Sequence, residues 1–482
     1  MSNTYLTRNI SAGDKRIGTF SFWLKRSANL SNTMYFFNAF GPGGFNDNSG
    51  NTDWMGFFVD NNNRFGFTSW SGGVQLKTTA MYRDVAAWYH LVLRFDTTQS
   101  SDTNKLRMYI NGQLITDFQD DDYPSLNHDF NCFGSNTATF QIGNSVSGNH
   151  ASPSQDSKYF NGYIAQAIYA QGQSYEPTVF GSTNSDGVWV ANASPSVTYG
   201  TNGFKLDFAN SGSSADANGF GADSSGQGNH FTSNSLHTNP NTTDTPHNNF
   251  CTINLLSQQP SNPATITEGA CKAENTSTAN TDNNQARILG TVYPITGKWY
   301  MEIKYVSGYS ATDGSVMVGL VSSNVGRATT YSYGFNKNNG NSPSHTVGYG
   351  NNGKIWYNGA EQTTGLTTFT TGDILGIAMD LTNGKFFVSK NGTFFSNGTG
   401  TQDPANGTNP LYSSTNIQNP SDGMTPGIQL YSSPNGVAQF NYGNPSFTIA
   451  SGNADANGYG NFEYAVPSGF YAMCSKNLGQ YG

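Results

Sequence analysis

The sequence is poor in charge, in helical periodicity and in long apolar runs. Asp, Glu, Lys and Arg make up 11% of its 482 residues, about half the usual share. The balance is acidic, −8 overall, and the 23 Lys and Arg residues nowhere form a dense cluster. Binding to a phosphate backbone draws on many cationic contacts that release counterions, so nucleic acid is not an expected partner. No apolar run approaches the ~20 residues that span a bilayer, and the opening stretch MSNTYLTRNISAGDKR has no apolar core of the kind a signal peptide carries. Synthesis in a cytoplasm without membrane insertion is the expectation.

Cysteine and glutamate are scarce too. Cys132, Cys251, Cys271 and Cys474 show neither CxxC spacing nor the density of a disulfide scaffold, so they read as reduced, buried thiols. Glutamate occurs six times, at 176, 268, 274, 302, 361 and 463. Glu302 lies between Lys298 and Lys304 on alternate positions of one segment, which reads as an exposed charged face. A Gly-x-Ser-x-Gly elbow, a His-Glu-x-x-His zinc helix and a phosphate loop with its Lys are all missing. The seven His residues lack paired ligand spacing, which argues against a zinc site.

What is abundant is turn and strand chemistry. There are 56 Gly residues, aromatics reach 13%, and the pair Asn-Gly occurs thirteen times. Asn-Gly tolerates the positive φ angles of a type I′ turn, so LRMYINGQLI (Leu106 to Ile115) and GKFFVSKNGTFF (Gly384 to Phe395) both read as tight hairpins. Period-two alternation places Tyr89, Leu91, Leu93 and Phe95 on one strand face and Trp299, Met301, Ile303 and Tyr305 on another. Amphipathic helical spacing and heptads are not found. The expected fold class is all-β: two jelly-roll-type antiparallel β-sandwiches joined by a Gly/Ser/Asn-rich connection. The boundaries read as residues 1–178, a connecting segment 179–248 partly packed on the first domain through Trp189, Phe204, Leu206 and Phe208, and residues 249–482.

The phrase AWYHLVLRFDTT…KLRMYINGQLI resembles the concanavalin A-like, laminin G-like lectin domains. GKWYMEIKY…VGL…GDILGIAMDLTNGKFFVSKNGTFF resembles the SPRY domain. Their combination with connecting phrases such as DSSGQGNHFT and DTPHNNFCTINLL is similar to structural proteins of tailed phages from marine bacteria. That resemblance implies a virion protein assembled in the host cytoplasm, a tail fibre or surface adhesin that binds host cell-surface glycans and contacts other virion proteins. A homo-oligomer, a trimer by analogy with phage fibres, is implied as well. The alternative is a purely structural decoration or tail component, and a glycan-degrading enzyme comes third. The Glu-x-Asp-x-x-Glu strand motif of the related glucanases is missing, so no catalytic residue is assigned and the chain reads as a non-enzyme.

Candidate ligand contacts follow from sugar chemistry, because apolar C–H faces stack on aromatic rings while amides and carboxylates take the hydroxyls. Trp54, Trp70, Asp60 and Asn62 flank the Asn-rich turn of the first block, and Tyr331, Tyr333 and Phe335 lie in a polar loop of the second. No cofactor is implied other than calcium, which lectins of this architecture often hold. It wants six to eight hard oxygens, for which Asp120, Asp121, Asp122 and Asp129 are the candidates; Asp47 and Asp53 offer a second acidic loop.

Overall fold

The computed structural model describes residues 4–482 apart from 28–31, 42–53, 135–137, 145–158, 186, 237–239, 259–262, 277–285, 309–313, 324–334, 336–344 and 432–434. Strand accounts for 43% of the chain and helix for 7%, as an all-β reading requires. The chain divides into two compact units, Met1–Asn241 and Thr242–Gly482.

In the first unit the strands are β1 (Tyr5–Asn9), β2 (Ile17–Arg26), β3 (Met34–Phe40), β4 (Trp54–Val59), β5 (Phe65–Ser69), β6 (Val74–Thr78), β7 (Tyr89–Asp96) and β8 (Leu106–Ile110). They continue as β9 (Gln113–Leu114), β10 (Phe118–Asp122), β11 (Thr139–Ile142), β12 (Gly162–Gln171), β13 (Gly181–Thr183), β14 (Trp189–Ala191), β15 (Phe204–Leu206) and β16 (Thr232–Asn234). An eight-stranded sheet runs β10-β6-β5-β4-β3-β11-β1-β16, and a six-stranded sheet runs β15-β12-β2-β7-β8-β9. Alternate residues of each strand, such as Phe20, Phe22 and Leu24 of β2 and Met55, Phe57 and Val59 of β4, meet between the sheets in one aromatic-rich core.

The segment expected as a connection is built into this unit as far as Asn241, and residues 242–248 belong to the second. β15 pairs with β12 and β16 pairs with β1, so each sheet takes one strand from it. Residues 175–199 also cover the outer face of the six-stranded sheet, where Val92, Tyr109 and Ile168 pack against Phe180, Tyr175 and Val197. Its Gly/Ser/Asn-rich composition reads as a loop because its few apolar residues are spread thinly over a surface that already exists.

The second unit repeats the plan. A six-stranded sheet contains Met317–Ser322, Thr346–Gly350 and Met424–Leu430, and a nine-stranded sheet contains Lys298–Ser307, Ile374–Asp380, Lys385–Lys390 and Gly436–Asn441. Trp299, Met301, Ile303 and Tyr305 face Val318, Leu320 and Ile428 in the core. The opposite face of Lys298–Ser307 is not exposed, contrary to the half-buried pattern read from its alternation. Tyr300 packs with Phe250, Phe462 and Phe470, and Glu302 is fully buried. The carboxylate of Glu302 accepts the backbone N–H of Glu463 (2.9 Å) and Tyr464 (2.8 Å) and the Asn441 amide (3.0 Å). It fastens the covering segment instead of facing water.

Both expected hairpins form, and each is held in the same way. Asn111 and Gly112 have φ of 48° and 77°, Asn391 and Gly392 have 47° and 81°, the signature of type I′ turns. The Asn111 side chain accepts His90 N–H at 2.8 Å, and that of Asn391 accepts Ile374 N–H at 2.9 Å. A Cβ on Gly112 would collide with Trp189, and one on Gly392 with Tyr464. Each turn therefore seats an aromatic ring of the segment that covers its own sheet. The four cysteines are buried, and among the described residues none forms a disulfide.

Candidate functional site

With the six-stranded sheet of the first unit covered, the outer face of its eight-stranded sheet holds a groove of about 450 Å³. It lies across β3 to β6 and β10, on the side chains that alternate away from the core. Tyr35, Trp54 and Phe58 make its apolar floor; Thr68, Gln75, Gln119, Asn61 and Asn62 are its neutral polar groups. The tight turn after β4 supplies Asp60 and Arg64, and Thr33, Lys77 and Trp70 complete the lining.

Two glycines make the floor flat. Gly56 sits where a Cβ would come within 2.8 Å of Tyr35 and 2.9 Å of Trp54, and Gly66 where one would meet Phe58 at 2.2 Å. The rings lie down on the bare backbone instead of standing off the sheet. Tyr35 meets Trp54 edge to face at 5.5 Å, and Phe58 at 5.6 Å, spacings that favour aromatic contact. Burial pushes the Tyr35 hydroxyl up to about 12, so it stays a neutral donor and acceptor.

The structure thus gathers Trp54, Asp60, Asn62 and Trp70 into one groove, with different standing. Trp70 is 54% exposed, a large apolar surface left open beside polar groups. Trp54 is only 3% exposed and forms part of the floor. Asp60 Oδ1 accepts the N–H of Asn62 (2.9 Å) and of Arg64 (2.8 Å), so this oxygen fixes the turn. Asn62 is exposed at the tip. Sequence reasoning missed Tyr35, Gln75, Lys77 and Gln119, although the alternation of Gln75 and Lys77 with core-facing Val74 and Leu76 marked them as an outer face.

The candidates of the second unit do not form a counterpart. Tyr331 and Tyr333 lie outside the described residues. Phe335 is a core residue, fully buried against Leu289, Met317 and Val321 with its N–H on Gln429 Oε1 at 2.9 Å. The aromatic expected as a ligand contact in a polar loop instead plugs the sheet beneath it, over Gly348, where a Cβ would lie 2.3 Å from the Phe335 Cβ and 2.8 Å from its ring.

The calcium candidates are likewise dispersed. Asp120 bonds Lys77 Nζ at 2.5 Å and the Gln75 amide at 2.9 Å, and Asp129 pairs with Arg16 at 2.6 Å. Asp121 and Asp122 are exposed on β10. Alternation along a strand sends neighbouring carboxylates to opposite faces, which the run of three Asp in sequence conceals. Among the described residues no group of three or more His, Cys, Asp or Glu side chains is placed to hold a metal ion. Asp47 and Asp53 lie outside them.

One buried pair has the composition of a nucleophile and its base. Ser21 Oγ lies 2.8 Å from His90 Nε2, and Trp189 Nε1 donates to His90 Nδ1 at 2.9 Å. An indole N–H only donates, so Nδ1 must accept and the ring proton sits on Nε2, pointing at Ser21. A base needs the reverse tautomer. His90 is stacked on Trp23 at 4.6 Å, and burial pushes its pKa down to about 3. It is a structural clasp for the covering segment.

Residues 2–171 match the family model of the concanavalin A-like lectin/glucanases superfamily, and residues 298–429 match that of the SPRY domain. The chain carries both domains. The groove belongs to the concanavalin A-like domain, whose compact unit runs 70 residues beyond the matched stretch, to Asn241. No curated protein sequence matches the chain. Among solved structures it is similar to the SPRY domain of human HERC1, at 16% identity over 39% of this chain and 96% of that one, with a TM-score of 0.28. It is also similar to a SAP-like pentraxin of Limulus polyphemus, at 14% identity over 41% and 88% with a TM-score of 0.27. A sialidase carbohydrate-binding module of Ruminococcus gnavus bound to sialyllactose shares 14% identity over 30% and 79%, with a TM-score of 0.21. No helix among the described residues is long and apolar enough to cross a membrane.

Proposed function

We propose that the concanavalin A-like domain binds glycans through the groove on its eight-stranded sheet, and that the chain serves as a non-enzymatic adhesin of a phage virion, in a tail fibre or on the particle surface. The observation that carries the binding reading is the exposed Trp70 ring beside a floor of Tyr35, Trp54 and Phe58 and a rim of neutral amides. Sugars need that pairing, since one face of a pyranose is apolar while its edge is lined with hydroxyls. The virion role rests on the resemblance of the connecting phrases to phage structural proteins. Self-association as a homo-oligomer goes with it, and light scattering across a dilution series checks that part.

The test is binding of the full-length protein and of Trp70→Ala to bacterial envelopes and to a glycan array, with released sugar assayed in parallel. Binding that is lost in Trp70→Ala, without product, supports the reading. Sugar release supports an enzyme instead, and silence in both assays supports a purely structural decoration or tail component.

A further inference from the structure

The lining of the groove contains two cations in different states. Lys77 is held by Asp120 at 2.5 Å, and Gln75 donates to the same carboxylate oxygen. Its charge is answered within the sheet. Arg64 is not in that position. Among the described residues its guanidinium meets no hydrogen-bond acceptor: Nε is buried without a partner, and Asp60 Oδ2 stands 4.0 Å from Nη1. That separation is beyond a hydrogen bond, and Asp60 Oδ1 is already taken by two backbone N–H groups. The side chain is 18% exposed. A guanidinium carries five N–H donors and no acceptor, in a planar fork that fits a carboxylate or an ester sulfate.

We infer that Arg64 is the specificity residue of the groove, and that the glycan it takes is anionic, carrying a carboxylate or sulfate that engages the Arg64 fork while Trp70 stacks on a sugar face. The inference rests on the glycan reading of the same groove. Charge-assisted pairs of this kind are roughly twice as strong as neutral hydrogen bonds, which is why an open guanidinium discriminates where amides do not. The chain's net charge of −8 sets no attractive long-range field for an anion. Selection is then a contact effect at Arg64.

The experiment is calorimetry on the full chain with hexamers of galacturonate and mannuronate, the carboxyl-reduced neutral counterpart of each, and a sulfated form of the neutral hexamers. The wild type is expected to bind at least one acidic hexamer tenfold or more tighter than its neutral counterpart. Arg64→Gln is expected to erase that margin, so that acidic and neutral hexamers bind alike, with thermal stability unchanged, and Arg64→Lys to restore part of it. Comparison of the uronate and sulfate arms assigns the anion. Equal affinity for acidic and neutral hexamers, or a margin that survives Arg64→Gln, overturns the inference while the groove reading stands so long as Trp70→Ala abolishes binding. If no hexamer binds, or Trp70→Ala binds as well as the wild type, the groove reading fails and the inference with it.

Discussion

Replacing Gly66 with Ala tests whether the flat floor of the groove is a packed arrangement or an accident of composition. Gly66 lies in β5 directly opposite Phe58 of β4, in extended backbone that alanine adopts freely. The only obstacle is space. A Cβ there would stand 2.2, 2.5 and 2.7 Å from the Cζ, Cε2 and Cε1 atoms of Phe58. The ring must retreat by more than about 1 Å to reach the ~3.5 Å of ordinary carbon contact. Tyr35 blocks one way out, 5.6 Å from Phe58 between ring centres. The remaining escape is into the groove. Overpacking of this kind costs about 1–3 kcal/mol, which for a unit of this length lowers the melting temperature by roughly 2–4 °C per kcal/mol. Phe58→Ala removes the obstacle, so in that background Gly66→Ala should be nearly neutral, a coupling of about 1–3 kcal/mol in a double-mutant cycle. Denaturant unfolding of the four proteins, followed by hydrogen exchange on peptides of the first unit, reads the cycle. A neutral Gly66→Ala, or a penalty that persists without the Phe58 ring, would refute the packing argument.

Other outcomes follow from the buried polar groups. Glu302→Gln should destabilise the second unit by about 1–3 kcal/mol, because an amide presents N–H to donors that now bond carboxylate oxygen; hydrogen exchange of the peptide around Tyr464 reports it. Burial raises the Glu302 pKa, so its contribution is fully present below the ordinary carboxylate value and is lost as pH rises through the raised one. His90 acts oppositely. Its folded pKa is pushed down to about 3, so the unfolded chain binds the proton first, and stability of the first unit falls as pH drops from about 6.5 towards that value. His90→Gln should flatten this acid slope, which exchange protection in β7 across a pH series measures. Gly112→Val should release the covering segment at Trp189, since its Cβ would lie 2.5 Å from the indole at a φ of 77°; faster proteolysis between residues 175 and 199 is the readout.

The strands and turns were legible because they depend on local rules. Asn111-Gly112 and Asn391-Gly392 each announce a turn, and alternation along Tyr89–Asp96 and Lys298–Ser307 marks the faces turned to the core. Trp54, Asp60, Asn62 and Trp70 were found together because one hairpin and the strand end after it bring them to one place. What alternation does not reveal is what lies over the second face of a sheet. Glu302 looked exposed because the segment that buries it starts more than a hundred residues later. Phe335 and the Asp120–Asp122 run were misread for the same reason, as their environment is set by distant Gln429 and by Lys77 on the neighbouring strand. Arg64 was passed over because an open guanidinium is a fact about what fails to reach it, and no pattern in sequence encodes that.

The central claim is that ligand lies on the outer face of the eight-stranded sheet. A crystal structure of the full chain with an oligosaccharide selected on the glycan array addresses it most directly. The account predicts a sugar ring stacked on Trp70, its hydroxyls on Gln75, Gln119 or Asn62, and an anionic group at Arg64. Sugar density elsewhere, on the SPRY domain or at the edge of either sheet, with the groove around Trp70 empty, would contradict it.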